Sequence, residues 1–276
     1  MIKRHLKTVI AGMAIGIANI IPGVSGGTMA VILGLYDQLI SAINAMFSHP
    51  KHWRNHLIFL SLIGLGALLS IFLFSTLITL LIQAVPQPTY LFFIGLIIGS
   101  IPIVYKAHTQ MQPSFGKTLL FLLSMGLIIW ISIGFPGHGN GGELSTLDLN
   151  SNTLLFLGVS GFIAAAAMVI PGLSGSLILL LMGSYFIILE AISTTNLSVI
   201  AVVGVGAILG ILTLSKGMNW CLTTHPAKSY YVILGLMVGS LVKLWPGLQL
   251  DWIGLISIIS LGLGGFLALK LPNLCK

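Results

Sequence analysis

Charge is what this chain lacks. Among 276 residues there are five Asp and Glu and twelve Lys and Arg, so charged residues make up 6%. A soluble domain carries about 25%. So few charges cannot cover a water-facing surface, which excludes a soluble globular fold. Cysteine is nearly missing too. Cys221 and Cys275 show no metal-ligand spacing and give no reason to expect a disulfide. The basic residues are scattered through short segments rather than gathered on one face, which argues against nucleic acid as a partner despite a net charge of +7. No Gly-Lys-Ser/Thr follows any of the glycine-rich turns, so a P-loop is excluded.

What is present is apolar. Hydrophobic residues make up 57% and the mean hydropathy is +1.09. Uncharged stretches cover 8–36, 55–105, 118–142, 149–189, 191–215 and 252–269. A bilayer-spanning helix needs about 20 apolar residues, so several of these stretches span and the longest spans more than once. The expected fold class is an all-α polytopic membrane protein. Thirty-three glycines and eleven prolines suit helices that pack closely and break in places. Lys3, Arg4 and Lys7 ahead of the apolar run 8–21 imitate a signal peptide. A segment of the same kind recurs mid-chain, so residues 8–21 are read as mature structure.

That recurrence is an internal duplication. Residues 21–43 read IPGVSGGTMAVILGLYDQLISAI and residues 170–192 read IPGLSGSLILLLMGSYFIILEAI. At an offset of 149, Ile21, Pro22, Gly23, Ser25, Gly26, Gly34, Tyr36, Ala42 and Ile43 all recur. After the longer first-copy segment 48–55 the register continues at an offset of 140. There Pro86, Tyr90, Gly95, Gly99 and Ser100 meet Pro226, Tyr230, Gly235, Gly239 and Ser240. The chain divides into a first membrane repeat at 1–135, a connecting loop at 136–152 and a second repeat at 153–276. Each repeat holds one broken segment (8–47 and 155–192) and three apolar helices. These are 57–84, 89–105 and 118–135 in the first copy, and 197–215, 229–243 and 252–269 in the second. The first arm, 8–20, is about 20 Å long at 1.5 Å per residue. That is short of a hydrocarbon core of roughly 30 Å, so the broken segments are expected to be re-entrant hairpins.

Charge sets the orientation. With the N-terminus inside, Lys51, Arg54, Lys106, Lys117, Lys216, Lys228, Lys270 and Lys276 also fall inside. Glu143 and Asp148 fall in an outer loop without Lys or Arg, and only Lys243 sits at an outer end. This is a positive-inside pattern. A hairpin plus three crossings is an odd count, so the second copy is expected to be inverted. Inverted repeats with broken helices place a substrate site near the midplane.

The duplicated turns are the expected site. Pro22, Gly23, Ser25, Gly26, Gly27 and Thr28 in one copy match Pro171, Gly172, Ser174, Gly175 and Ser176 in the other. Glycine lets backbone approach a ligand, each turn opens a helix with unpaired N–H groups, and the hydroxyls add donors. Two such turns meeting tip to tip would hold an anion. The bland alternative is that Pro and Gly only kink packed helices. Gly23 to Gly27 also fits G-x-S-x-G, but a serine nucleophile needs a base, and all seven histidines lie in loops or at helix ends. His138 in a Gly-rich loop is read as solvated, and no metal or cofactor is expected. Asp37 and Glu190, on the returning arms, are candidate coupling groups or interfacial carboxylates. Lys216, at the inner end of 197–215, either snorkels to the interface or attracts a lipid phosphate.

The segments GMAIGIANIIPGVSGGTMAVILGLYDQLI (12–40), FFIGLIIGSIP (92–102), MVIPGLSGSLILLLMG (168–183) and GLMVGSLVKLWPG (235–247) resemble the bacterial polyprenyl-phosphate transporter family. The resemblance covers essentially the whole chain. It implies a flippase returning undecaprenyl phosphate from the outer to the inner leaflet of the cytoplasmic (inner) membrane, with both termini cytoplasmic and the phosphate at the two PGxSG turns. Membrane lipids are the other expected partners, and no oligomeric state is implied. Asn19 and Phe186 depart from the family's pattern, each standing where an acid is expected. Undecaprenyl-diphosphate phosphatase resembles this chain in plan, but its motif Arg and neighbouring Glu residues are missing here. A small-anion channel stays open as the other class, since helix termini bind any anion.

Overall fold

The computed structural model describes residues 2–21, 24–48, 53–106, 111–134, 150–247 and 251–275. Twelve helices follow one another in the described residues. The first repeat holds α1 (Ile2–Ile20), α2 (Gly26–Ile32), α3 (Tyr36–Ser48), α4 (Trp53–Ala84), α5 (Pro86–Lys106) and α6 (Phe115–Gly134). The second holds α7 (Ser151–Val169), α8 (Gly175–Leu181), α9 (Tyr185–Ser193), α10 (Leu197–Thr224), α11 (Pro226–Leu244) and α12 (Trp252–Cys275). The local signals agree with the register of the repeat. α5 and α11 each begin on a proline, whose missing N–H costs nothing at a first helical position. Asn150 and Asn196 cap α7 and α10 by accepting from the amides of Thr153 and Val199.

Among the described residues, seven helices are long and apolar enough to cross a membrane. The outer helices α4, α6, α10 and α12 turn Leu, Ile and Phe outward, with Phe72 85% exposed and Leu68 70% exposed. An apolar exterior on this scale has no place in water, and the protein is a multi-pass membrane protein. The interior is built around α2, α5 and α11, where Ile32, Leu91, Ile97, Ile233 and Met237 are almost fully enclosed in one cluster spanning both repeats.

The packing repeats with the sequence. α1 lies on α4 as α7 lies on α10. A Cβ on Gly66 would collide with the carbonyl oxygen of Val9, and one on Gly206 with that of Gly158. The next pair is exchanged between repeats: α5 lies on α12, and α11 lies on α6. Gly95 faces the Leu261 carbonyl while its counterpart Gly235 faces the Phe121 carbonyl. Small residues let helix backbones approach this closely, the usual means of association inside lipid.

The broken segments differ from the sequence expectation in two ways. The first arms are longer. α1 and α7 each run 19 residues, about 28 Å at 1.5 Å per residue, because α1 continues through the charged turn that the apolar count left out. α7 alone is long and apolar enough to cross. The second arms are not single helices. Gly34 and Gly183 adopt φ of +69° and +71°, and the chain bends by 118° between α2 and α3 and by 113° between α8 and α9. Glycine takes that conformation without the penalty other residues incur.

Candidate functional site

The two duplicated turns meet. Thr28 Oγ1, on α2, accepts a hydrogen bond from the amide of Gly172 at 2.9 Å. Tyr36, at the start of α3, donates to the carbonyl of Val169 at 2.8 Å. The first repeat therefore grips the second just before and just after Pro171. A Cβ on Gly27 would stand 3.5 Å from the Pro171 Cα. Pro22 and Gly23 lie outside the described residues, as does His138.

The first turn is satisfied from within. Asn19, the penultimate residue of α1, accepts from the Gly26 amide at 2.9 Å. Ser25 caps α2 by accepting from the Gly27 amide at 3.2 Å and is 5% exposed. The second turn is not closed in this way. Met168 occupies the position equivalent to Asn19 and offers Gly175 only a thioether, a weak acceptor. Ser174 makes no capping bond to α8. Its hydroxyl lies 2.7 Å from that of Ser176, which is exposed. Gly172, at φ +90°, brings its Cα against the backbone of Leu236 on α11, so close that a Cβ would lie 2.8 Å from the Leu236 carbonyl.

Both turns open on one cavity of about 290 Å³, lined by Asn19, Ser25, Ser174, Gly175 and Ser176 together with apolar residues of α7 and α10. Ligand pockets begin at about 300 Å³. Its polar groups are amides and hydroxyls, and neither carboxylate, imidazole nor amine is among the residues lining it. Such a cavity can hydrogen-bond an anion or a polar headgroup but supplies no base to Ser25 or Ser174. The helices opening from the turns are only seven residues each. Donor strength therefore rests on hydroxyls and turn amides rather than on a long helix dipole.

The other expected residues are placed elsewhere. Asp37 is on the first turn of α3, where Tyr230 of α11 donates to its Oδ2 at 2.8 Å. It belongs to a contact between repeats rather than to a bare hairpin exit. The corresponding pair is Phe186 and Tyr90, with no carboxylate. Glu190 is half-buried on α9, its backbone carbonyl accepting from Thr194. Lys216 is exposed on α10, which continues to Thr224, and does not line the cavity. Sequence reasoning missed the work of Tyr36 and Asn19. The recurrence of Tyr36 at Tyr185 was the available signal for the first, and nothing in the sequence pairs Asn19 with Gly26.

The family model for undecaprenyl phosphate translocase-like proteins matches residues 15–254. A polyprenyl-phosphate transporter from Vibrio cholerae is 33% identical over 262 residues, covering 90% of this chain and 80% of that protein. A polyprenyl-phosphate transporter from Staphylococcus aureus is 32% identical over 246 residues, covering 87% of this chain and 86% of the relative. No solved structure matches significantly.

Proposed function

The chain belongs to the undecaprenyl phosphate translocase-like family, a family of transporters rather than enzymes, and from that premise we propose that it moves a polyprenyl phosphate across the membrane. The phosphate passes the facing PGxSG turns, and transport of undecaprenyl phosphate runs from the outer to the inner leaflet of the cytoplasmic membrane, recycling the carrier. The observation that carries this reading is the meeting of two duplicated turns at a cavity lined by hydroxyls, inside a bundle whose exterior is apolar. A phosphate leaving water needs hydrogen-bond donors along its way, while its prenyl tail can remain in lipid beside the outer helices. The two repeats are inserted in opposite orientations, with both termini cytoplasmic, as the distribution of lysine suggests.

Two measurements test this. Purified protein in liposomes should speed the movement of a headgroup-accessible polyprenyl phosphate between leaflets. Equal flux of inorganic phosphate alone would point to an anion channel, and absence of any flux would end the proposal. For topology, in a background with Cys221 and Cys275 replaced by serine, Ser198→Cys should react with an impermeant thiol reagent outside intact cells. Ser114→Cys should be shielded. Reaction of Ser114→Cys from outside would remove the inversion.

A further inference from the structure

Lys243 is the one basic residue that the charge pattern leaves at an outer end. It stands on the last turn of α11, and it is not an isolated surface group. It lines a narrow cleft with Ser132 of α6, Ser240, Leu173 and Ser174. The cleft measures about 10 Å³, room for a single water. Leu173 and Ser174 are the residues that line both this cleft and the larger cavity. The second turn thus stands between two spaces, one holding hydroxyls and amides, the other holding hydroxyls and an ammonium group. Among the described residues, no carboxylate lies in either lining to neutralise that charge.

The matching positions of the first repeat carry no cation. At the offset of 140, Lys243 corresponds to Ile103, Ser240 to Ser100 and Ile128 to Ala268. Ser100 is completely buried and donates to the carbonyl of Ile97, and Ala268 is completely buried in the core. The cation is present on one side of the pseudo-symmetric pair only.

We propose that Lys243, with Ser240, Ser132 and Ser174, is the outer receiving station for a phosphate monoester, and that the Leu173–Ser174 turn is the partition the headgroup passes to reach the larger cavity. This rests on the transport reading above and adds to it the group that neutralises the anion. An ammonium is a point charge suited to a phosphate oxygen, and a lysine with no carboxylate in its cleft lining attracts an anion approaching from the outer leaflet. At about 10 Å³ the cleft is too small for a phosphate as it stands, so binding requires the side chains around Lys243 to rearrange.

The test measures two quantities on wild type, Lys243→Met and Lys243→Arg. One is equilibrium binding of a short-chain polyprenyl phosphate to detergent-solubilised protein, with inorganic phosphate as competitor. The other is the concentration dependence of leaflet exchange in liposomes. Lys228→Met, at the opposite end of the same helix, controls for loss of charge, and thermal unfolding controls for folding. Lys243→Met should weaken binding and raise the apparent KM by roughly 10- to 150-fold, the range for a hydrogen bond to a charged group, while kcat changes much less. Lys243→Arg should recover most of it. Competition by inorganic phosphate at matching concentration would assign the station to free phosphate as well as to the lipid headgroup. Binding lost in Lys243→Met but without leaflet exchange in wild type would keep the station and remove the transport reading. Wild-type binding and KM in Lys243→Met would overturn the station and leave the transport reading standing.

Discussion

The two PGxSG turns share a sequence frame and differ in what their backbones do. The first is closed: Asn19 holds the Gly26 amide, Ser25 holds the Gly27 amide, and six of the seven residues of α2 are buried. The second is open: Met168 replaces the acceptor, Ser174 caps nothing, and only Gly175 and Leu177 of α8 are buried. Both turns line the larger cavity, but only the second also lines the cleft beside Lys243 and leaves its serine uncommitted to a helix cap. Equivalence in the alignment of a repeat is equivalence of position, and a single substitution at one contact is enough to separate the roles.

The largest expected effect tests that division in transport. Ser174→Ala should lower transport by roughly 10- to 150-fold, the loss of about 1.5–3 kcal/mol expected for a hydrogen bond to a charged group. Ser25→Ala should instead lower stability by about 0.5–2 kcal/mol, the cost of an N-cap, with transport falling no further than the folded fraction does. Equal transport losses at the two serines, in proteins of equal stability, would break the comparison. The next effect is on folding. Asn19→Leu leaves the Gly26 amide without its acceptor and should cost about 1–3 kcal/mol in thermal or denaturant unfolding. Met168→Leu at the matching position is a volume-conserving apolar exchange costing under about 1.5 kcal/mol. A reversed order would mean that the first turn does not depend on its internal bonds. The smallest effect concerns the contact between repeats. Tyr230→Phe removes the donor to Asp37 and should cost about 1 kcal/mol. Tyr90→Phe, whose repeat-related partner position holds Phe186 rather than a carboxylate, should change stability by about a few tenths of a kcal/mol at most.

Much of this architecture was legible in the sequence because lipid imposes simple rules. Long uncharged stretches give the helices, and their order recurs at offsets that Pro, Tyr and Gly mark without ambiguity. The same offsets reappear in space as Gly66 against Val9 and Gly206 against Gly158. The second break, at Gly34 and Gly183, was not legible. Glycine inside an apolar run is common in membrane helices, and a positive φ is visible only in the folded backbone. The apolar count also set the first arm at 8–20, whereas helical hydrogen bonding carries α1 back through its charged residues. Of the site, the turns and their serines were legible, and Thr28 proved to be the contact between them. The expectation of matching roles for the two turns missed Asn19 against Met168, since one acceptor in an otherwise apolar helix carries no periodic signal. Lys243 was visible only as an exception to the charge rule, and its place beside Ser174 comes from the meeting of α11 with α6 and the second turn.

The exchanged pairing of α5 with α12 and of α11 with α6 has a consequence for biosynthesis. The glycine face of α5 has its partner at the far C-terminal end of the chain. At about 5–20 residues per second, on the order of ten seconds pass between the emergence of Lys106 and that of Trp252. Throughout that interval the glycine face of α5 lacks its partner. Packing of α6 on α11 and of α5 on α12 therefore waits for the second repeat, whereas α1 can pair with α4 earlier. A chain truncated before α12 would leave a membrane protein whose helices are all inserted but whose first repeat remains unlatched, a natural mark for membrane quality control.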